Sequence, residues 1–283
     1  MAHAEDITVR VAARLGEVPG VTAVALGGSR VRGAGGPDSD IDLGLYYEPD
    51  NPPSLQQLRA LAADLDDRHQ HGLVTSTGAW GPWINGGGWL VIDGVHVDWL
   101  YRDLARVRAV IAECRQGRVR IDYQSGHPHG FINAIYAGEV HYCRPLHDPA
   151  GVLTSLKAEV WPYPVALGRA LIQMFLWEAD FALMTGRKGA ARGDVAHAAG
   201  SLYRCVACLV QALFALNGRY LINEKGSVRV AAELPLCPDG FTEAVESVLA
   251  APGRASAALL AAHDRMAEVV HVTALLCRTA TPA

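Results

Sequence analysis

Lysine is scarce in this chain of 283 residues, which contains only Lys157, Lys188 and Lys225. Charged residues of both signs make up 19% of the sequence, the net charge is −4, and no stripe of lysines and arginines is visible. Binding along a polynucleotide backbone requires several cationic contacts with phosphates. The composition therefore argues against a protein that binds DNA or RNA, and it favours a small molecule or a protein side chain as substrate.

Apolar runs long enough to span a bilayer are also missing. The longest run, from Val206 to Leu216, is too short to cross a membrane and is flanked by Arg204 and Arg219. The N-terminal segment is amphipathic and carries acids early, so we expect no signal peptide. We therefore expect the protein to lie in the cytoplasm and to have no membrane partner.

The six cysteines are scattered along the chain, and only Cys205 and Cys208 form a CxxC pair. A zinc site of that type needs a second pair, which the sequence lacks. Because both residues lie in an apolar pattern with a helical period, we predict buried thiols. Free thiols are consistent with a reducing cytoplasm.

What the chain does contain is a glycine-serine turn followed by paired carboxylates. One apolar run ends at Gly27-Gly28-Ser29, and a second begins at Asp40-Ile41-Asp42. In a strand, residues i and i+2 point to the same face, so Asp40 and Asp42 are predicted to converge. Such a pair suits Mg²⁺, which completes its shell with substrate phosphates, and glycine-rich turns present N–H groups to phosphates. The pattern predicts nucleotide chemistry.

A third carboxylate is expected on a neighbouring strand. Residues 88–101 contain Asp93-Gly94, a two-residue hairpin signal between two runs rich in β-forming residues. On the second run His96, Asp98 and Leu100 share one face, and Asp98 is the only acid within that strand. Asp98 is therefore the predicted third carboxylate, and the alternative is a polar residue on a solvated sheet face.

The periodicity of apolar residues predicts an α+β chain with two parts. The first part is a small mixed β-sheet with helices on one side, and every long segment of the second part has the period of a helix in an antiparallel bundle. The predicted elements of the first part are a helix over 5–16, strands over 21–26 and 40–47, a helix over 54–68, strands between 73 and 101, and a helix over 102–115. We divide the chain into a domain over 1–117, a connecting region over 118–149 and an all-α helical bundle over 150–283.

The order of Gly28-Ser29, a gap, Asp40-x-Asp42 and a later strand with Asp98 resembles the signature of the nucleotidyltransferase superfamily related to DNA polymerase β. The segment is similar to minimal nucleotidyltransferases and to enzymes that inactivate aminoglycoside and lincosamide antibiotics. The resemblance covers the N-terminal domain well and the remainder by architecture alone. It implies that residues 1–117 form a nucleotidyltransferase domain and that the helical bundle over 150–283 binds the acceptor.

The resemblance also implies a role for each residue of the signature. Asp40, Asp42 and Asp98 would be catalytic and would hold Mg²⁺, with Asp98 next to the attacking hydroxyl or accepting its proton. Gly28 and Ser29 would contact the phosphates of a nucleoside triphosphate, with ATP as the expected co-substrate.

Further residues are candidates around this centre. Arg32 matches an arginine of the antibiotic-modifying branch and would bind phosphate oxygens, although Arg30 lies nearer the turn and is an alternative. Lys225 is a lone lysine in a polar loop of the helical half and could reach the triphosphate. Glu139 closes a short predicted helix over 131–140 and is an alternative general base. Each of these four residues also has a plainer interpretation as a solvated surface side chain.

Together these features predict an enzyme. We expect a Mg²⁺-dependent nucleotidyltransferase that moves a nucleoside monophosphate, AMP in our expectation, to a hydroxyl of a small molecule such as an aminoglycoside-type antibiotic, releasing pyrophosphate. The alternative is nucleotidylation (AMPylation) of a protein partner, as in toxin-antitoxin systems. A nucleotide-binding module without catalysis is a third class, and the full set of predicted metal ligands argues against it.

Overall fold

The computed structural model describes residues 2–32, 36 and 39–280, and the side chains of Ala2 and Arg32 lie outside this description. The chain forms two compact units. The first comprises residues 1–112, 122–126 and 136–162, and the second comprises residues 113–121, 127–135 and 163–283. The predicted connecting region, 118–149, is thus shared between the two units. The predicted α+β class, with a mixed sheet followed by helices, is confirmed.

A mixed five-stranded sheet is the framework of the first unit. Its order is β3-β4-β2-β1-β7, in which β2 and β4 run parallel and the other neighbours run antiparallel. A separate two-stranded sheet consists of β5 and β6. The strands are β1 (Ala23–Leu26), β2 (Ile41–Tyr47), β3 (Gly87–Ile92), β4 (Val95–Asp103), β5 (Ile121–Asp122), β6 (Phe131–Ile132) and β7 (Arg144–His147).

Ten helices are described along the chain, together with a short 3-10 helix at Arg30–Arg32. They are α1 (Ala2–Gly16), α2 (Leu55–Leu65), α3 (Leu104–Arg115), α4 (Ala134–Tyr142), α5 (Val152–Val160), α6 (Val165–Ala191), α7 (Val195–Leu216), α8 (Ser227–Ala232), α9 (Phe241–Ala250) and α10 (Ser256–Ala280). The N-cap of α2 is Ser54, whose hydroxyl accepts the N–H of Gln57. The helix predicted over 54–68 ends early, because the Asp66 carboxylate accepts the backbone N–H of Val91 and so joins the chain to β3.

One face of the main sheet packs against α1 and α2 and forms the core of the first unit. Alternate residues of β2 and β4 point into it, among them Leu43 and Leu45 from β2 and Trp99 from β4. These three side chains are fully buried. Burying a large apolar side chain contributes about 1.5–3 kcal/mol, so this face supplies much of the unit's stability.

The second unit is a helical assembly in which α6 packs along α7 and α10 packs against both. By length and composition alone α7 could cross a membrane, but 61% of its most apolar window is buried inside the structure, as expected for the central helix of a bundle. The predicted burial of Cys205 and Cys208 in this helix is confirmed. Burial raises the pKa of the Cys208 thiol to about 12.

Candidate active site

Two of the predicted carboxylates lie side by side on the face of the sheet opposite the α1–α2 core. Asp42 of β2 pairs in parallel register with Asp98 of β4. Because Leu43 and Trp99 point into the core, the alternation of a strand turns Asp42 and Asp98 to the other face. Neighbouring strands lie about 4.8 Å apart, so the two side chains leave the sheet from adjacent positions. The structure therefore brings together two of the three predicted carboxylates, Asp42 and Asp98.

The glycine-serine turn, which follows β1, lies next to Asp42. Beyond the end of β1, the N–H of Gly27 donates to the carbonyl oxygen of Asp42 at 2.8 Å, which extends the ladder by one residue. Gly28 has a φ of +66°, and a Cβ there would lie 1.7 Å from Oδ2 of Asp42. A side chain is thus excluded by both backbone conformation and contact. The backbone of the turn approaches the carboxylate closely, and half-buried Ser29 follows directly.

Asp40 differs from Asp42 in its local structure. The strand predicted over 40–47 begins at Ile41, so Asp40 precedes β2 and is exposed, and the i, i+2 argument does not place its side chain beside Asp42. Its carbonyl oxygen accepts a hydrogen bond of 3.0 Å from Nε of Arg30, and Nη2 of Arg30 donates to the carbonyl of Ser39. Arg30 therefore holds the two ends of this loop together. The role of Asp40 as a metal ligand stays a prediction.

The structure does not test two of the predicted phosphate ligands, Arg32 and Lys225. Arg32 ends the 3-10 helix after the turn, and its side chain is outside the described residues. Lys225 belongs to the second unit and lies in the loop before α8. It is exposed, and its backbone N–H donates to Oδ1 of Asn223. Both roles stay predictions.

The donor set at Asp42 and Asp98 fits a magnesium ion that is shared with a substrate. Among the described residues, no group of three or more histidine, cysteine, aspartate and glutamate side chains is arranged to hold a metal ion by itself. Mg²⁺ does not need such a group, because it usually binds one or two protein carboxylates and takes its other ligands from phosphates and water. Adjacent carboxylates beside the glycine turn match that requirement.

Glu139, the alternative general base, lies on the same side of the sheet but is held in an ion pair. Its two carboxylate oxygens accept hydrogen bonds of 2.8 Å from Nε and Nη2 of Arg102, which is four residues beyond Asp98 on β4. The Arg102 side chain is 4% exposed and that of Glu139 is 26% exposed. Burial lowers the pKa of Arg102, but the charge of Glu139 more than offsets it, so the pKa is raised overall. The pair fastens α4 to the sheet, and a role for Glu139 as a base stays a prediction.

An aromatic pair beside Asp98 was missed by the sequence analysis. Trp89 of β3 pairs in register with Asp98 of β4, so both side chains point to the same face. The Trp89 side chain is 61% exposed, and the ring of Trp80 stacks on it with 4.3 Å between centroids and 17° between planes. Counting outward from the Asp93-Gly94 turn would have found Trp89 opposite Asp98. No sequence signal indicates Trp80.

The helical unit, for which acceptor binding is predicted, has an open cleft of its own. Arg204 of α7 is part of its wall and forms an ion pair with Glu178 of α6, with 2.6 Å between Nη2 and Oε1. Other residues of its wall are Phe181, Ala182, Thr185, His197, Gly200 and Ser201. The cleft offers both charges and hydroxyl groups to a polar ligand.

Comparison with known proteins supports the chemistry of the first unit. Residues 10–74 match the family model of a nucleotidyltransferase domain, a segment that includes Gly28, Ser29, Asp40 and Asp42 but ends before Asp98. The chain is thus an enzyme of the transferase class, and the match supports nucleotidyl transfer from a nucleoside triphosphate in general. It specifies neither the acceptor nor the nucleotide.

A search of solved structures found a crystal structure of a nucleotidyltransferase-like protein from Exiguobacterium sibiricum. The two chains are 10% identical, the match covers 93% of this chain and 72% of that one, and the TM-score is 0.46. No match was found among the curated proteins.

Proposed function

We propose that this protein transfers AMP from ATP to a hydroxyl of a small molecule, with an aminoglycoside-type antibiotic as the acceptor class, in the cytoplasm. One observation carries the proposal: Asp42 and Asp98 pair in register on adjacent strands, and the backbone of Gly28 packs against the Asp42 carboxylate. Carboxylates and a glycine turn in contact suit a triphosphate with its metal ion better than they suit a structural role.

Each residue of this arrangement has a task in the proposed reaction. The N–H of Gly28 and the hydroxyl of Ser29 bind the outer phosphates of ATP. Asp42 and Asp98, with Asp40, would hold Mg²⁺, which when bound would neutralise phosphate charge and lower the pKa of a nearby hydroxyl. Asp98 lies one strand farther from the Gly28 turn than Asp42 and would orient the acceptor.

The proposed transfer is an in-line displacement at the α-phosphorus of ATP. The hydroxyl oxygen of the acceptor forms a bond to the α-phosphorus of ATP, and its proton passes to the Asp98 carboxylate and then to solvent. The bond from the α-phosphorus to the bridging oxygen breaks, and its electron pair leaves with pyrophosphate. Positioning and electrostatic stabilisation supply most of the catalysis in such reactions.

A small acceptor is favoured over a polynucleotide by the charge of the chain. The net charge is −4 and only three lysines are present, so a series of phosphate contacts along a nucleic acid has little support. A cationic acceptor would instead be attracted by the carboxylates of the site. Nucleotidylation of a protein is the alternative, and the experiment below separates the two.

The test measures pyrophosphate release by purified protein with Mg²⁺, each of the four nucleoside triphosphates and a panel of hydroxyl acceptors, and identifies products by mass spectrometry. We expect release with ATP only when an acceptor is present, and its loss in Asp42→Asn. The matched control is Asp64→Asn, because Asp64 is an exposed acid of α2 that pairs with Arg14 on the surface. Equal turnover by Asp42→Asn would overturn the mechanism. Labelling of a lysate protein by radioactive ATP, with no small product, would establish the alternative.

A further inference from the structure

The stacked tryptophans at the edge of the carboxylate pair are an exposed apolar surface inside a polar site. Trp89 is 61% exposed although Trp80 covers one of its ring faces, so the other ring face is open to solvent. An exposed aromatic surface beside reactive groups is a candidate ligand site, because burying an indole is strongly favourable.

The loop that carries Trp80 is fastened to the sheet at several points. The carbonyl of Trp80 accepts a hydrogen bond of 3.1 Å from Nε2 of Gln124, which is itself 4% exposed. At the start of the loop, the N–H of Thr75 donates to the carbonyl of Gly87, and the hydroxyl of Tyr101 donates to the carbonyl of Thr75. The pair is therefore held in place before any ligand arrives, which lowers the entropic cost of binding.

The order of the strands places this pair on one side of the reaction centre and the phosphate turn on the other. Because the sheet runs β3-β4-β2-β1, the row across it reads Trp89, Asp98, Asp42 and then the Gly28 turn. In a displacement at phosphorus, the entering and leaving oxygens lie roughly in line on opposite sides. If pyrophosphate leaves toward the Gly28 turn, the acceptor enters from the side of Asp98 and Trp89.

We propose that the open face of Trp89, supported by Trp80, is an acceptor subsite contributed by the first unit and that it binds the ring face of an amino sugar whose hydroxyl reaches Asp98. This inference rests on the proposed function. An indole face is both apolar and attractive to cations, and tryptophan is the best residue for the latter. An amino sugar offers C–H bonds on one face of its chair-shaped ring and ammonium groups at its rim. The adjacent carboxylates add attraction for the same cationic ligand.

The test uses isothermal titration calorimetry on the full chain with Mg²⁺ and two probes. α,β-Methylene-ATP, which cannot release pyrophosphate, reports the nucleotide site, and kanamycin A, added after saturation with that analogue, reports the acceptor site. We expect Trp89→Ala to weaken kanamycin A binding about 5–30-fold and to leave the analogue within about twofold. Trp89→Phe should keep most of the affinity because it keeps an aromatic face.

The matched control is Trp161→Ala, since Trp161 is also an exposed tryptophan of the first unit, 54% exposed and stacked on His141 with 5.1 Å between centroids. It should not change either titration. Wild-type affinity of Trp89→Ala for kanamycin A, or no binding of kanamycin A by the wild-type protein, would overturn the subsite. An equal loss for the nucleotide analogue would show that the indole holds the base instead. Failure of nucleotidyl transfer itself would appear separately, as the absence of pyrophosphate release from ATP and Mg²⁺ with every acceptor of the panel.

Discussion

The two faces of the five-stranded sheet are built from alternate residues of the same strands, yet they differ in almost every physical property. On β4, Val97, Trp99 and Tyr101 are buried in the core against α1 and α2. Asp98 and Arg102 of the same strand point to the other face, where the structure places carboxylates, an ion pair and an exposed indole.

This difference shows how a small sheet can separate stability from chemistry. Carboxylates in register repel each other, and their repulsion must be offset by the folding energy of other residues. Here the offset comes from the neighbouring residue in each strand, because Leu43 and Trp99 are fully buried next to Asp42 and Asp98. A substitution on the carboxylate face should therefore lower turnover, and a substitution of the next residue in the same strand should lower stability.

The largest effect on turnover is expected from Asp98→Asn. Loss of a positioned base and metal ligand should lower kcat by about 10²–10⁴-fold. The free energy of unfolding should stay within about 1 kcal/mol of the wild type or rise, because a repulsive pair is removed. Steady-state pyrophosphate release and urea unfolding measure the two quantities. A kcat within threefold of the wild type would show that Asp98 has no part in catalysis.

The reverse result is expected one residue further along, for Trp99→Ala. Removing a fully buried tryptophan should lower the free energy of unfolding by about 3–5 kcal/mol. Urea denaturation followed by circular dichroism measures this loss. In the fraction that remains folded at low temperature, affinity for α,β-methylene-ATP should change less than it does in Asp42→Asn. A stable Trp99→Ala protein would contradict the assignment of this face as the core.

Gly28→Ala should affect both properties, because this residue lies where the turn meets the reactive face. The added Cβ would fall 1.7 Å from Oδ2 of Asp42, so the carboxylate or the turn must move. A misplaced catalytic group can lose about 10²-fold in rate, and the left-handed backbone adds about 1 kcal/mol of strain. Gly36→Ala is the control, since no other residue that the structure describes has an atom within 4 Å of a Cβ there. Normal activity of Gly28→Ala would refute the close approach.

The smallest change in turnover is expected for Glu139→Gln, which decides between the two proposed bases. In the amide a nitrogen donor replaces one of the two oxygens that accept from Arg102, so the variant should lose about 2 kcal/mol of stability from this nearly buried ion pair. Turnover should fall less than tenfold, against the much larger loss for Asp98→Asn. If Glu139→Gln lost as much turnover as Asp98→Asn at normal stability, Glu139 would be the base.

Several features of the site follow from local rules and could be predicted from the sequence. The glycine turn, the alternation of β2 and β4 and the Asp93-Gly94 hairpin each depend on residues close together in the chain. The hairpin also fixes the position of Trp89 opposite Asp98. Asp40 shows the limit of such rules, because the first residue of a strand depends on the hydrogen bonds that the preceding loop makes with Arg30.

The sequence by itself determined which residues alternate, where the chain turns and that Asp42 and Asp98 belong to strands of one small domain. Only the tertiary structure decided that β2 and β4 are parallel neighbours in register, that Trp80 stacks on Trp89, and that Arg102 holds Glu139. The physical reason is that periodicity and turn geometry act between near neighbours. The pairing of distant segments is selected by the packing of the whole core, for which no single segment carries a signal.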